Sequence, residues 1–153
     1  MVEEGVVLRV PAAATFPLRL LVLGRRPTPG EADPTDIASD DGHFAVYEAG
    51  AVVATGAVIR REAPGGLTGG AVWHLLGMAV DDGARARGLG TAVLTAALDH
   101  VAAHGGGLVW CHARANAMSL YQRHGFTEGG HLVADPVGGT QVFMTRQIEA
   151  MKH

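Results

Sequence analysis

The stretch Met78-Ala-Val-Asp-Asp-Gly-Ala-Arg-Ala-Arg-Gly-Leu-Gly-Thr-Ala-Val-Leu94 decides the fold of this chain. The apolar run Val72–Val80 predicts a strand that ends at an acidic turn, and apolar residues at helical spacing follow Gly90. A strand, a glycine loop and a helix in this order present backbone N–H groups to an anion, and the helix dipole favours negative charge there. Gly88 and Gly90 have no Cβ, so phosphate oxygens can approach the main chain closely.

Two familiar phosphate-binding motifs do not fit this stretch. A Rossmann loop needs a third glycine where the chain has Val93, and a Walker loop needs a Gly-Lys-Ser/Thr triplet that the chain lacks. The pattern Arg85-x-x-Gly88-x-Gly90 instead resembles the coenzyme A motif of the GNAT superfamily of N-acetyltransferases, Arg/Gln-x-x-Gly-x-Gly/Ala. The segment Ala117-Met-Ser-Leu-Tyr-Gln-Arg-His-Gly-Phe126 resembles a second GNAT signature, so the resemblance covers about residues 72–126 by motif.

The resemblance implies a mixed α/β fold. We expect a single N-acetyltransferase domain over residues 1–153, with a mostly antiparallel sheet of about six or seven strands flanked by helices. The sheet is expected to be splayed at the cofactor site. The implied reaction moves an acetyl group from acetyl-CoA to a primary amine of a small molecule or peptide, by direct attack through a tetrahedral intermediate.

Roles for individual residues follow from the same resemblance. Tyr121 would be the general acid, because a phenol is protonated at neutral pH and can donate a hydrogen bond or proton to the departing sulfur. The cofactor would contact Met78, Ala79, Val80, Arg85, Ala86, Arg87, Gly88, Leu89, Gly90, Thr91, Arg114 and Tyr121.

The chain departs from the family pattern at two places. Arg114 stands where family members often carry asparagine, and Leu75-Leu-Gly-Met78 lacks the charged residue that members often carry near that glycine. The resemblance therefore assigns no base to deprotonate the amine. Glu62 and His74 are the predicted candidates, and Asp81 is a third.

Other classes of function are weaker fits. A non-catalytic acetyl-CoA sensor would keep the glycine loop without needing Tyr121, and a phosphate binder unrelated to coenzyme A stays open. No metal site is predicted: His100 and His104 have the spacing of a zinc helix, but the glutamate of that motif is replaced by Val101. We expect the two histidines to lie on an exposed helix face.

Composition sets limits on partners. The chain has 153 residues, 48% of them hydrophobic and 18% charged, with a net charge of −3, which favours a globular protein without a nucleic-acid surface. One cysteine excludes an internal disulfide, and the longest apolar runs are too short to span a membrane. We expect a cytoplasmic protein and leave a homodimer open. Residues 25–42 form either a solvated connector or an acidic lip that attracts a cationic substrate.

Short local sequence patterns predict the remaining strands and helices. We predict a first strand over 6–10, a short helix over 17–24, a hairpin of strands over 43–48 and 51–59, and a final hairpin pair over 129–148. Leu108–Cys111 is predicted to be a short parallel strand, because a crossover of this length favours the parallel arrangement. Asn116 is expected to cap the short helix that carries Tyr121.

Overall fold

The computed structural model describes residues 5–23, 42–63, 71–85, 87–114, 117–135 and 139–151. Strands and helices alternate in the middle of the chain and strands end it. The strands are β1 (Val7–Arg9), β2 (His43–Glu48), β3 (Ala51–Arg60), β4 (Val72–Val80), β5 (Gly107–Arg114), β6 (Thr127–Asp135) and β7 (Gly139–Ile148). The helices are α1 (Phe16–Leu23), α2 (Leu89–Ala103) and α3 (Met118–Arg123), with 3-10 turns at Ala12–Thr15 and Asp82–Ala84.

The strands form one mixed sheet in the order β1-β2-β3-β4-β5-β7-β6. Only β4 and β5 are parallel among these neighbours, and the other pairs are antiparallel. The β2–β3 hairpin turns at Ala49 and Gly50, both of which have positive φ (51° and 79°), as a two-residue hairpin turn that follows the strand twist requires. This architecture confirms the predicted fold class and the mostly antiparallel sheet.

Helix α2 covers one face of the sheet and makes the main core. One stripe of the helix is buried in a core that includes Trp73 and Val109, as the helical spacing predicted. This stripe consists of Val93, Leu94, Ala97, Leu98 and Val101. The expectation of two exposed histidines on α2 is wrong for His100, which is buried with its ring edge-on to Phe44 and Trp73. The apolar stripe of α2 is therefore wider than its aliphatic residues alone suggest.

The opposite face of the sheet is covered in part by α1. Trp73 faces α2, so its neighbour His74 points to the opposite face, because successive strand residues alternate. There the His74 ring stacks on Trp110 with the two centroids 3.9 Å apart, and Trp110 donates a hydrogen bond to the carbonyl of Arg61. A second, smaller apolar cluster formed by Ala63, Val72, Trp110 and Phe143 lies on this face.

The sheet opens between its two parallel strands. β4 and β5 pair only at Val72–Leu108, Trp73–Val109 and His74–Trp110, after which neither strand pairs with the other. The predicted splay of the sheet is therefore present. None of the helices in the described part of the chain is long and apolar enough to cross a lipid bilayer.

Candidate active site

The start of α2 is open to an anion. Gly88 precedes the helix with φ of +77°, and the first intrahelical hydrogen bond runs from Ala92 N–H to the Gly88 carbonyl. No described residue accepts a hydrogen bond from the N–H groups of Leu89, Gly90 or Thr91. These three donors and the helix dipole together form a site for a negative group.

The two glycines of the loop differ in what their positions require. Gly88 has a left-handed backbone, and a Cβ added there would meet nothing within 4 Å, so the backbone conformation alone requires glycine. A Cβ on Gly90 would lie 3.6 Å from the Val80 side chain and 3.8 Å from Leu120. The first turn of α2 therefore sits where the end of β4 meets α3, the short helix that carries Tyr121.

A bulge in β4 marks the start of the opening. The register between β3 and β4 shifts between Thr55 and Ala57, which places an extra residue on β4 around Gly77, whose φ is +67°. The side chain of Met78 then packs against Gly56, which explains why that position in β3 has no side chain. Gly56 therefore lies both at the register shift and at a close contact with Met78.

The end of β4 offers main-chain groups to the opening. Asp81 N–H donates to the carbonyl of Val53 in β3 at 2.8 Å, so by alternation the main chain of Val80 faces the other edge, toward β5. Arg85 lies at this edge, because its Nε donates to the Val80 carbonyl at 3.2 Å. An extended ligand with amide groups could pair with such an edge as an added strand does.

The two arginines of the loop differ in their surroundings. Arg85 forms an exposed ion pair with Asp82 at 3.1 Å, with the arginine side chain 53% exposed. Arg87 is held by both oxygens of Glu48 at the β2–β3 hairpin. This bidentate contact lowers the pKa of Glu48 and raises that of Arg87, through the hydrogen bond first. Arg87 thus points away from the opening, toward β2.

Tyr121 is buried at the meeting point of α3 and β5. Its side chain is 5% exposed, and its ring is edge-on to Phe126 with centroids 5.6 Å apart. Burial raises the pKa of the phenol above its usual value, the nearby Cys111 thiol raises it further and Arg114 lowers it. Burial also raises the pKa of the Cys111 thiol to about 12, so this buried thiol stays protonated at physiological pH. Tyr121 is therefore a neutral hydrogen-bond donor at physiological pH.

The two predicted bases occupy very different places. His74 is at the last paired position before the opening, where its Nδ1 lies 3.2 Å from Arg61 Nη1. Burial first, and then the nearby Arg61, His112 and Arg19, lower the pKa of His74 to about 3. The imidazole is neutral at physiological pH, and because a guanidinium can only donate, Nδ1 accepts from Arg61 and Nε2 carries the proton.

Glu62 and Asp81 have weaker geometry for a base. Arg61 N–H bonds to the Val72 carbonyl, so Glu62 is level with the residue before β4. At roughly 3.3 Å per strand residue, Met78 lies roughly 20 Å further along the sheet, which argues against Glu62 acting on an amine there. Asp81 is closer, but its carboxylate accepts a hydrogen bond from Gly83 N–H at 3.2 Å and caps the 3-10 turn.

For the other predicted site residues, the structure either gives a position in a strand or does not describe them. Ala79 pairs with Thr55 of β3, and Arg114 ends β5 close enough to Tyr121 to lower its pKa. Ala86 and Asn116 lie outside the described residues, as do residues 25–41.

Sequence reasoning missed Arg19. This α1 side chain is only 6% exposed and lies against the bulge of β4, where a Cβ added to Gly77 would be 2.9 Å from Arg19 Nε. The sequence does distinguish Arg19, because it is the one charged residue of the otherwise apolar segment 16–23. His112 was also given no catalytic role, although it lies near enough to His74 to lower the pKa of that imidazole.

Solved structures of acetyltransferases share this fold. Ard1 from Thermoplasma volcanium matches with a TM-score of 0.74 at 16% identity, covering 95% of this chain and 99% of that chain. The ribosomal-protein-S18-alanine N-acetyltransferase of Escherichia coli matches with a TM-score of 0.66 at 19% identity, covering 96% and 95%. An aminoglycoside 6'-N-acetyltransferase complexed with coenzyme A matches with a TM-score of 0.69 at 13% identity, covering 97% and 99%. No curated protein sequence matches this chain.

The sequence model described as the acetyltransferase (GNAT) family matches residues 17–126, which is most of the chain, so this protein belongs to that family. Membership implies transfer of an acyl group from an acyl-CoA donor to an acceptor.

Proposed function

We propose that the protein is an acetyl-CoA-dependent N-acetyltransferase that acts on a primary amine of a small molecule or peptide. The observation that carries this proposal is the opening between β4 and β5, which has an unpaired edge of β4 and, where β4 ends, unpaired N–H groups at the start of α2. We infer that the buried phenol of Tyr121, on the helix that contacts this helix start, faces the same opening. Each of these three features matches one part of an extended acyl donor, namely a chain of amides, a diphosphate and a thioester.

The residues present fit such a donor. The diphosphate would lie on the N–H groups of Leu89, Gly90 and Thr91 with Arg85 beside them, and the amides would pair with Met78 and Val80. A backbone N–H at the bulge can also stabilise the oxyanion of the tetrahedral intermediate, an effect of roughly 3 kcal/mol where single donors have been removed from other enzymes.

Tyr121 would assist the departure of the thiolate. A simple thiol has a pKa near roughly 8.5, whereas the pKa of buried Tyr121 is raised above that of an ordinary phenol, so complete proton transfer is uphill. The phenol would therefore stabilise the developing thiolate by a hydrogen bond. Protonation of the sulfur can follow once the thiolate reaches solvent.

The acceptor must lose a proton before it attacks. An α-amine with a pKa near roughly 8 is partly neutral at physiological pH, whereas a lysine-type amine near roughly 10.4 is not. His74 is better placed than Glu62, but its pKa is lowered and its Nδ1 already accepts a hydrogen bond from Arg61, so it does not serve as the base. This arrangement favours acceptors whose amine is weakly basic.

A thiol-release screen with acetyl-CoA over amino acids, polyamines, aminoglycosides and peptides tests the activity. We expect turnover with at least one amine, and we expect Tyr121→Phe to retain acetyl-CoA binding by calorimetry while its rate falls about 100-fold or more. Tight ATP or NAD binding in the same calorimetry would contradict the donor assignment. Acetyl-CoA binding without turnover on any amine would instead support a non-catalytic sensor.

A further inference from the structure

The helix that carries Tyr121 is too short to hold its own position. α3 has six residues, and Ala117 at its start provides no side-chain cap. Helices shorter than about 12 residues are marginal in water, so contacts with the rest of the fold must fix α3. Several of these contacts lie at its C-terminal end.

The main chain closes this end of α3 as a Schellman motif. Gly125 has φ of +83°, and its N–H donates to the Gln122 carbonyl at 3.0 Å. Phe126 N–H donates to the Tyr121 carbonyl at 3.0 Å. The rings of Tyr121 and Phe126 then meet edge-on, which is the apolar contact that accompanies this motif. The position of the Tyr121 ring therefore depends on how α3 ends.

Arg146 of β7 binds the last carbonyl of the helix. The motif satisfies the carbonyls of Tyr121 and Gln122, and the carbonyl of the next helix end, His124, accepts a hydrogen bond from Nη1 of Arg146. A cation at this place also lies at the negative end of the helix dipole, and a charge-assisted hydrogen bond is roughly twice as strong as a neutral one. Arg146 is paired with Val109 of β5, so the bond ties α3 to the interior of the sheet.

The surroundings of Arg146 show what keeps it there. A Cβ added to Gly125 would lie 3.2 Å from Arg146 Nε, so a side chain at Gly125 would push the guanidinium away from the helix end. On another side, a cavity of about 570 Å³ is lined by Arg146, His124 and residues of α2. Packing therefore confines the guanidinium where it meets α3 but not toward the cavity, and the bond to the helix end holds it in place.

We propose that Arg146 is a positioning residue for acyl transfer, because it fixes the end of α3 and thereby holds the phenol of Tyr121 toward the departing sulfur. The proposal rests on the N-acetyltransferase function and on the role of Tyr121 in it. The amine nitrogen forms a bond to the acetyl carbon, the carbon–sulfur bond breaks, the thiolate leaves with the hydrogen bond from Tyr121, and the amine proton passes to solvent. In this role Arg146 does not touch the reacting atoms.

The test is a double-substitution cycle on Arg146 and Tyr121. The parent, the single variants and the double variant are compared in the thiol-release assay with saturating acetyl-CoA and an amine found in the screen, and kcat is expressed per acetyl-CoA site counted by calorimetry. Arg146→Met should lower kcat roughly 10-fold, because a small displacement of a catalytic group can cost up to about 100-fold. The Kd for acetyl-CoA should change by less than about threefold. In the Tyr121→Phe background, the same substitution should lower kcat by less than about twofold, because residues that act as a unit are not additive.

Arg123→Met is the matched control. Arg123 is an exposed arginine in the last turn of α3, so its substitution removes a positive charge from the same helix end and leaves the bond between Arg146 and the His124 carbonyl in place. It should change kcat by less than about twofold. An unchanged kcat in Arg146→Met would overturn the proposal. An equal loss from Arg146→Met with and without the Tyr121 hydroxyl, or an equal loss from Arg123→Met, would show a general structural role and also overturn it.

Arg146→Lys covers the case in which Arg146→Met no longer binds acetyl-CoA. Lysine keeps the charge and a donor but not the planar geometry, so kcat should fall roughly threefold, and only where the Tyr121 hydroxyl is present. An equal loss in the two backgrounds would overturn the proposal. Absence of turnover on every amine, by a protein that still binds acetyl-CoA, would instead overturn the enzymatic function itself and this inference with it.

Discussion

Substituting alanine at each of the two loop glycines should have opposite effects. Gly88 has φ of +77°, and a Cβ there meets nothing within 4 Å, so Gly88→Ala introduces backbone strain and no clash. A non-glycine residue in this conformation costs roughly 1–2 kcal/mol. For a chain of this size, Tm should fall about 2–4 °C for each kcal/mol.

Gly90→Ala is the matched control. Its methyl group would make ordinary contacts at 3.6 Å and 3.8 Å, and the residue is helical, so alanine should stabilise the fold by about 0.4–1 kcal/mol. Gly88→Asn should recover most of the stability that Gly88→Ala loses, because asparagine tolerates a left-handed backbone. Thermal unfolding measures all three variants.

The affinity for acetyl-CoA should depend on the backbone conformation of the loop and not on the volume of the added methyl group. If the loop of the Gly88→Ala variant relaxes to relieve its backbone strain, the first-turn N–H groups turn away from the anion, and the Kd for acetyl-CoA should rise about 5- to 30-fold. Gly90→Ala should change this Kd by less than about threefold. The reasoning is refuted if Gly88→Ala is as stable as the parent and binds as well, or if Gly90→Ala loses as much affinity.

Three further outcomes follow from the site. Arg85→Met should raise the Kd for acetyl-CoA about 10-fold in calorimetry. Arg87→Met should raise it less than about threefold, because Glu48 holds Arg87 toward the hairpin and an exposed ion pair contributes little. Equal effects of the two substitutions on the Kd would contradict this difference. Glu62→Gln should leave kcat and its pH profile unchanged, because Glu62 lies beside the start of β4, far from the opening. A loss of about 100-fold in kcat would identify Glu62 as the base. The pKa of His74 is lowered to about 3 in the folded protein from 6.5 in the unfolded chain, so the unfolded state binds more protons between these two pH values. The free energy of unfolding should therefore decrease as the pH falls below 6.5, by up to about 1.4 kcal/mol per pH unit. His74→Phe keeps an aromatic ring against Trp110 and should show a smaller loss in urea unfolding between pH 7 and 4.5; an equal loss would assign the acid sensitivity elsewhere.

The elements that local sequence patterns define were predictable. Helix α2 follows from apolar spacing after a glycine, and the β2–β3 hairpin follows from Ala49-Gly50 between two apolar runs. β5 extends to Arg114, beyond the apolar stretch that predicted it, because its last residues still pair with β7. Pairing across the sheet, and not hydrophobicity, sets that boundary.

The parts of the site that depend on tertiary contacts were not predictable. Glu62 was chosen for its residue type and its nearness to a strand in the sequence, but the β3–β4 register places it at the far end of that strand. Arg19 is far in sequence from both motifs and lies against the β4 bulge only because α1 packs on β4. Arg87 was predicted from its place in the loop, and its contact with Glu48 depends on a hairpin 39 residues away.

The only two tryptophans of the chain lie on the last paired rungs between β4 and β5, one on each face of the sheet. Trp73 lies beside imidazole rings on the α2 side, and Trp110 stacks on another imidazole on the α1 side. The paired end of β4 and β5 therefore has one intrinsic fluorophore on each face of the sheet. Movement that widens or narrows the separation of the strands should change the intrinsic emission without any introduced dye, and Trp73→Phe and Trp110→Phe would assign the signal to one surface or the other.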